Sequence, residues 1–156
     1  MTALRSMGVA SLHPRPKTHA IASEHTHMPF SKLHVPQALP VETCQAIDDL
    51  LHASLVATCG VDPSDDFCLV SRYAHRDMIF HPTFLGRRNP GATVVIEIAL
   101  LAGRSDEQKE ALYKDVRRRL RDIGFDPGNS IILLIENRPI DWSFSEAGSV
   151  KTVLGL

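Results

Sequence analysis

Apolar and polar positions along the chain form a pattern that occurs twice. An apolar run at residues 67–70 follows the turn sequence Gly60-Val61-Asp62-Pro63, and a second run at residues 131–134 follows Gly124-Phe125-Asp126-Pro127, 64 residues later. Glycine commonly ends a helix, and Asp-Pro is typical of a turn. Each copy therefore predicts the end of a helix, a turn and an apolar strand.

Helical spacing of apolar residues precedes each of these turns. The two sets are Ile47, Leu50, Leu51 and Leu55, and then Leu112, Val116, Leu120 and Ile123. Residues spaced three and four apart share one face of a helix, which predicts two amphipathic helices. The second helix opens with a capping box of the S-x-x-Q kind at residues 105–108, which places its start at Ser105. The apolar phases of the two helices differ by one residue, so an insertion or deletion separates the copies.

A strand candidate precedes each helix, from Phe30 to Val35 and from Thr93 to Leu100. The order is thus β-α-β, a linker, and β-α-β again. Units of this length form parallel strand pairs with right-handed crossovers. We therefore expect an α/β (α+β) fold, a duplicated β-α-β domain with a four-stranded sheet and two helices on one face. The other face needs a cover, and oligomerisation would supply it.

The domain boundaries follow from the same pattern. Residues 1–27 have no apolar periodicity and are expected to be a disordered tail or sequence upstream of a mis-assigned start. The folded domain is expected to span 28–144, with a first unit at 28–73, a linker at 74–92, a second unit at 93–136 and an aromatic segment at 137–144. Residues 145–156 are expected to form a C-terminal tail.

Composition narrows the range of partners. The 156 residues carry a formal net charge of −1, so no electrostatic footprint for nucleic acid or an anionic membrane is expected. No apolar run reaches the roughly 20 residues of a membrane span, and a cytoplasmic protein is expected. Three cysteines without a C-x-x-C motif do not support a disulfide framework or a zinc site, and the histidines share no metal-binding spacing. No metal or cofactor is therefore expected.

Candidate chemistry begins at Met28-Pro29, where the unpatterned segment meets the first strand. If Met28 is the true start, Pro29 becomes an N-terminal secondary amine, and α-amino groups titrate at about pH 8. An internal proline nitrogen is an amide with no such proton chemistry. Arg104 lies just ahead of the second helix, where a guanidinium and backbone N–H groups can hold a carboxylate; a solvated loop arginine is the alternative.

Two further positions have open interpretations from the residues alone. Asp65, just before the second strand, is either a functional acid or a cap of its own turn. Trp142 is the only tryptophan and, with Phe144, follows the last strand. Aromatic residues outside the core often mark a subunit interface or a pocket wall.

Three segments together resemble the tautomerase superfamily, closest to its malonate semialdehyde decarboxylase-like branch. They are Met28-Pro29-Phe30, the stretch at 103–109 (GRSDEQK), and Glu136-Asn137 followed by residues 141–144 (DWSF). The resemblance covers about residues 28–144 with compatible spacing. It implies two β-α-β units related by a pseudo-twofold axis, a homotrimer, and catalysis without a cofactor.

The resemblance also implies roles for individual residues. Pro29 matches the N-terminal amine, Asp65 matches the acid that assists it, and Arg104 matches the arginine that binds the substrate carboxylate. Trp142 and Phe144 match the apolar wall near that carboxylate. The expected reaction is keto-enol tautomerisation or decarboxylation of a small 2-oxo or 3-oxo carboxylic acid.

Two departures from the family pattern bear on that expectation. A second arginine two residues before Arg104 is replaced by Ala102, and Arg72, Arg87 or Arg88 are the candidates to substitute for it. This replacement favours a broader tautomerase-like activity over a dedicated decarboxylase. The other departure is the segment 1–28 ahead of Pro29.

Two alternatives stay open at this point. One is a non-catalytic tautomerase-like module that binds a small acid or a protein, with Pro29 blocked by residues 1–28. The other is a regulatory ligand-binding domain built from the same kind of duplication.

Overall fold

The computed structural model describes residues 28–86, 88–89 and 91–156. Four strands and three helices follow one another in the order β-α-β-β-α-β-α. Their bounds are β1 (Pro29–Pro36), α1 (Val41–Cys59), β2 (Cys68–Tyr73), β3 (Val94–Leu101), α2 (Asp106–Asp122), β4 (Ser130–Asn137) and α3 (Val150–Leu154). Single 3-10 turns lie at His75–Asp77, Pro127–Asn129 and Pro139–Asp141.

The strands form one mixed sheet in the order β2-β1-β3-β4. Each β-α-β unit contributes a parallel pair, β1 with β2 and β3 with β4, and the units meet through the antiparallel pair β1–β3. The fold predicted from the sequence is thereby confirmed, with both long helices on one face. Because the central pair is antiparallel, the start of β1 lies beside the end of β3.

Alternation of buried and partly exposed residues shows which face of the sheet carries the core. Pro29, Ser31, Leu33 and Val35 of β1 are buried, as are alternate residues of β3, and the residues between them are only partly buried. The buried set packs against α1 and α2 to form one apolar core. Its largest fully buried side chains include Leu33, Ile47, Leu51, Leu55, Ile96, Ile98, Leu112 and Leu120.

Local signals in the sequence place the helix ends. Gly60 ends α1 and Gly124 follows α2, both with positive φ (68° and 77°), a conformation that glycine adopts without a steric penalty. At the start of α2, the Ser105 side chain accepts from the Gln108 backbone N–H, and the Gln108 side chain accepts from the Ser105 N–H. The predicted capping box is therefore present.

The opposite face of the sheet is not covered by a helix of the described residues. Leu69, Leu133 and Ile135 are exposed there at 54%, 49% and 40%. Lys32 and Glu97 form a half-buried ion pair of 3.2 Å at the centre of that face. This is the surface for which the sequence predicts a cover from other protomers. Among the described helices, none has the length and apolar character to cross a membrane.

Two terminal segments need separate mention. Residues 145–156, expected to be a tail, contain α3, whose first residue Val150 is buried. The segment at 1–27, for which a disordered tail or a mis-assigned start is predicted, lies outside the described residues.

Candidate active site

Four segments of the chain converge at one end of the sheet. Pro29 at the start of β1 is paired with Leu100 near the end of β3. The Ser31 N–H donates to the carbonyl of Phe67 at 2.8 Å, so the segment leading into β2 lies alongside the start of β1. The end of β4 joins them through the pairing of Leu101 with Asn137. The turns carrying Asp65, Arg104 and Trp142 therefore leave the sheet at the same end as Pro29.

Pro29 is buried at the threshold of this end, and Met28 ahead of it is partly buried. A strand residue paired on one side and buried on its core face has a fixed backbone, so the Pro29 nitrogen is held in one position. In the full chain that nitrogen belongs to the peptide bond with Met28. Removal of residues 1–28 would convert it into a secondary amine at the same place.

Asp65 sits in the turn that precedes β2. Its backbone N–H donates to the Asp62 carbonyl at 2.9 Å, which closes the turn, and its side chain is partly buried. The Asp65 Oδ2 atom is buried and has no hydrogen-bond partner among the described residues. Buried polar atoms are nearly always hydrogen-bonded, so an exception of this kind calls for an explanation.

Arg104 is positioned by the turn between β3 and α2. Gly103 has φ of 128°, which favours glycine and lets the chain reverse before the helix. The Ala102 N–H donates to the Asn137 carbonyl at 2.9 Å, and Arg104 Nη1 donates to the Leu101 carbonyl at 2.5 Å. The partly buried guanidinium is therefore held close to the end of β3, directly ahead of the N-terminus of α2.

A row of aromatic rings crosses this end of the molecule. Phe30 and Phe67 have ring centroids 6.5 Å apart, Phe67 and Phe144 are 5.6 Å apart, and Phe144 stacks on Trp142 at 5.6 Å. The Trp142 indole N–H donates to Asn137 Oδ1. Asn137 thus fixes the Ala102 turn with its carbonyl and orients Trp142 with its side chain.

Next to this row lies a cavity of about 280 Å³. It is lined by Met28, Asp65, Phe67, Phe144, Ser145, Gly148, Val150, Val153 and Leu154. The structure therefore brings Asp65, Phe144 and the residue preceding Pro29 to one cavity. Arg104 and Trp142 lie at the same end of the sheet but do not line it.

The wall that α3 supplies is not among the site residues predicted from the sequence. A signal for this helix was available: Ser149 caps its start by accepting from the Thr152 N–H, and Gly155 ends it with φ of 68°. Five residues between such caps are too few to show helical periodicity, so the sequence there predicts a tail.

The arginines proposed to replace the one missing at Ala102 lie elsewhere or cannot be placed. Arg72 is at the far end of β2, where its Nη1 donates to the Leu39 carbonyl at 2.6 Å. Arg88 lies ahead of β3, at the opposite end of the sheet, and donates to the Phe84 carbonyl at 2.8 Å. Arg87 lies outside the described residues. Neither Arg72 nor Arg88 therefore lies beside Arg104 in the place of the arginine missing at Ala102.

Two charged residues near the start of α2 have shifted pKa values. Lys109 of α2 and Glu136 of β4 form a 3.0 Å ion pair, and this hydrogen bond raises the pKa of Lys109. The Ser105 side chain lowers the pKa of Glu107 in the first turn of α2. Among the described residues, no group of three or more histidine, cysteine, aspartate or glutamate side chains is arranged to hold a metal ion.

Comparison with known proteins agrees with this geometry. The family model Tautomerase_2, described as tautomerase enzyme, matches residues 65–145, just over half of the chain. The chain belongs to the tautomerase superfamily. The matched segment contains Asp65, Arg104, Trp142 and Phe144. A curated relative, Probable tautomerase YusQ of Bacillus subtilis (strain 168), is 26% identical over 118 residues, which are 75% of this chain and 93% of the relative.

Solved structures place the chain more finely within the superfamily. FG41 malonate semialdehyde decarboxylase is 29% identical with a TM-score of 0.72, over 81% of this chain and 95% of its own. A second malonate semialdehyde decarboxylase is 30% identical with a TM-score of 0.71, over 81% and 97%. A fused 4-OT trimer, at 20% identity and a TM-score of 0.65 over 80% and 98%, shares the fold. The chain therefore lies in the malonate semialdehyde decarboxylase-like branch of the superfamily.

Proposed function

We propose that this tautomerase is a cofactor-independent enzyme that acts on a small 2-oxo or 3-oxo carboxylic acid through Pro29 as an N-terminal amine. The observation that carries the proposal is the buried Oδ2 of Asp65, which is unsatisfied among the described residues and belongs to a residue that lines a cavity together with Met28. Such an oxygen can accept a hydrogen bond from a protonated amine or a bound water.

Substrate binding in this proposal rests on Arg104. Its guanidinium lies ahead of the N-terminus of α2, where the helix dipole also favours an anion. A carboxylate held there would leave the adjacent carbonyl directed towards the start of β1. Phe144, Trp142 and Phe67 would exclude water from the reacting carbons, which strengthens the electrostatic interactions of the site.

Tautomerisation needs a base and an acid at neighbouring positions. A neutral Pro29 amine would remove a proton from the carbon next to the carbonyl, leaving an enolate. The resulting ammonium would then return the proton to the enolate oxygen, which gives the enol. In the reverse direction Pro29 would take the proton of the enol hydroxyl and deliver it to carbon, which gives the ketone, and Pro29 is neutral again after either sequence. Asp65 would stabilise the ammonium between the two transfers, since an adjacent carboxylate favours the charged form of an amine.

Decarboxylation of a 3-oxo acid would use the same groups in another order. Protonated Pro29 would donate a hydrogen bond to the carbonyl while carbon dioxide leaves, and would then pass its proton to the enolate carbon. Solvent would reprotonate Pro29 for the next turnover. One of the two malonate semialdehyde decarboxylases has been solved to explain its decarboxylase and hydratase activities. Its structures include a mutant in which the first residue, proline, is replaced by alanine. With Ala102 in place of a second arginine, we favour tautomerisation of a 2-oxo acid as the main activity.

A homotrimer is part of the same proposal. The exposed apolar residues on the uncovered sheet face, together with the half-buried Lys32–Glu97 pair, form a surface suited to association. Fused 4-OT proteins with the same fold have been solved as trimers.

A second candidate function is a non-catalytic small-acid or protein-binding module. Met28 is one of the residues that line the cavity, so in the full chain the peptide preceding Pro29 occupies the place where an amine would act. In that case Arg104 and the cavity bind a carboxylate without turnover.

The test compares three proteins: the full chain, a chain translated from Met28 whose initiator is removed, and the same chain with one alanine inserted before Pro29. The insertion keeps a terminal amine but makes the Pro29 nitrogen an amide. We expect turnover of an enolisable 2-oxo acid by the Pro29-terminated protein only, with kcat/KM lower by about 10² or more in the other two. Intact mass verifies each terminus.

The intact mass of the protein produced from its native gene should be measured as well. A chain beginning at Pro29 supports the enzyme, and a stable product that retains residues 1–28 supports the binding module. Equal turnover with and without the inserted alanine would remove the proline amine from the mechanism.

A further inference from the structure

The cavity beside Pro29 has mostly apolar walls. Five of the eight lining residues that remain in a chain beginning at Pro29 have apolar side chains, Phe67, Phe144, Val150, Val153 and Leu154, and Met28 is a sixth in the full chain. Asp65 is the one ionisable residue among the lining, and Ser145 and Gly148 supply the remaining surface. A ligand group that enters this cavity therefore leaves water for an apolar surface with a carboxylate at one side.

The wall formed by α3 is fixed to the rest of the site. The Val150 N–H donates to the Trp142 carbonyl at 2.8 Å, and the Ser143 hydroxyl donates to the Gly148 carbonyl at 2.9 Å. Val150 is buried, at 6% exposure. The same segment that carries Trp142 and Phe144 thus holds α3 in place, and the cavity is a built part of the site.

The size of the cavity bears on what can fill it. An apolar protein cavity of about 150 Å³ takes up benzene, and this cavity measures about 280 Å³. A three-carbon acid bound through Arg104 would leave most of that volume without contacts. Each methylene group that an apolar wall removes from water raises affinity about fourfold, so larger apolar substituents gain the most.

We propose that the substrate of this site carries a neutral apolar group of about phenyl size on the side of the carbonyl remote from its carboxylate, and that α3 forms the subsite for this group. The inference rests on the proposed function and names its substrate class: aryl or branched-alkyl oxo acids. A second carboxylate is disfavoured because it would meet Asp65 and an apolar wall.

The test measures binding to the full-length chain, which needs no free amine. Trp142 is the sole tryptophan and stacks on Phe144 of the cavity wall, so its fluorescence reports on ligand binding. The two ligands are 3-phenylpropanoate and propanoate, which share the carboxylate and differ in the phenyl group. We expect 3-phenylpropanoate to bind about 30-fold more tightly or better, an effect of a buried ring.

A matched pair of variants assigns this preference to α3. Val153→Gln places a polar group in the cavity wall, whereas Ile123→Gln changes an exposed residue of similar exposure at the far end of α2 (43% against 53%). We expect Val153→Gln to reduce the preference for the phenyl ligand at least fivefold and Ile123→Gln to leave it unchanged.

The outcomes separate the inference from the proposed function. A phenyl preference that depends on Val153, without turnover by any form of the protein, supports the subsite and overturns the enzyme. Turnover without a phenyl preference overturns the subsite. Equal effects of the two glutamine variants, or an inability of the full chain to bind 3-phenylpropanoate, also overturn it, the latter because another part of the chain or another copy then fills the cavity.

Discussion

The two β-α-β units have the same arrangement of strands and helix, but the equivalent turns of the two units have different surroundings. Their first strands share one burial pattern, so Pro29 in β1 corresponds to Val94 in β3. The turns before their second strands also correspond, with Asp65 in the first unit and Asn129, 64 residues later, in the second. Because the units run antiparallel, these equivalent places lie at opposite ends of the sheet.

The end that contains Asn129 is closed by the linker. Asn129 is buried at 8% exposure, and its Oδ1 accepts from the Asn89 backbone N–H at 2.6 Å. Thr93, which corresponds to Met28, donates its hydroxyl proton to the Asn89 carbonyl at 2.8 Å. One linker residue therefore satisfies both polar groups of this end.

The end that contains Asp65 has no such closure among the described residues. Asp65 Oδ2 is buried without a partner there, and a cavity lies beside it. Both ends place a polar side chain at the same point of the duplicated fold. Among the described residues the Asn129 Oδ1 atom has a hydrogen-bond partner and the Asp65 Oδ2 atom has none, which is why we propose a single site at the end that contains Asp65.

The largest expected effect comes from removing the charge at the open end. In a chain that begins at Pro29, Asp65→Asn should lower kcat/KM for the 2-oxo acid by about 10²-fold or more, because the proline ammonium loses its carboxylate. The free energy of unfolding should change little, since Oδ2 accepts no hydrogen bond from the described residues. Steady-state kinetics and urea unfolding measure the two effects.

The control for this variant is Asp66→Asn, at the exposed neighbouring acid. Asp66→Asn should keep kcat/KM for the 2-oxo acid within about twofold of the unsubstituted protein. Equal losses of kcat/KM in Asp65→Asn and Asp66→Asn would show that the total negative charge of the turn matters and that the Asp65 carboxylate has no specific role.

The closed end should respond in the opposite manner. Asn129→Ala removes the acceptor of the Asn89 N–H and should destabilise the fold by about 1–3 kcal/mol, the usual cost of a lost partner at a buried group. It should change kcat/KM by less than about twofold. Urea unfolding of the same chain measures the first quantity.

Asn89→Ala is the matched control, because it keeps the backbone N–H and loses only an exposed side-chain bond to the Gly91 N–H. It should cost less than about 0.5 kcal/mol. A large loss of activity in Asn129→Ala with unchanged stability would instead place chemistry at this end.

Much of the frame could be predicted from the sequence because it depends on short-range signals. Gly60 and Gly124 mark the helix ends, Ser105 caps α2, and the apolar spacing gives both helices. The one-residue shift between the copies is visible in the structure, since β1 and β3 correspond at an offset of 65 whereas Asp65 and Asn129 correspond at 64. These features need no knowledge of distant contacts.

The site was less accessible to prediction because it is made of long-range contacts. Pro29, Asp65 and Arg104 could be proposed from position and resemblance, and the sheet brings their segments to one end. The wall at Val150 and Val153 could not, because α3 is held by a hydrogen bond to Trp142 that no local pattern specifies. The closure by Asn89 was equally hidden in an irregular linker.

The smallest expected effect compares one acid in each helix. In α2, burial opposes ionisation of Asp115, but hydrogen bonds from Arg119 and Arg118, both at 2.6 Å, lower its pKa to about 2. In α1, burial raises the pKa of Asp48, partly offset by a hydrogen bond from Cys68. Asp115 therefore stabilises the fold above the unfolded pKa of 3.8, and this contribution is lost as pH falls towards 2. For Asp48 the sign is reversed, since protonation favours the folded state.

After allowance for solvent screening of the exposed Arg118, Asp115→Asn should lower the free energy of unfolding by about 1 kcal/mol at pH 7 and by almost nothing at pH 2. Asp48→Asn should leave the free energy of unfolding unchanged or raise it at pH 7. Urea unfolding at both pH values measures this, and parallel pH profiles for the two variants would contradict it.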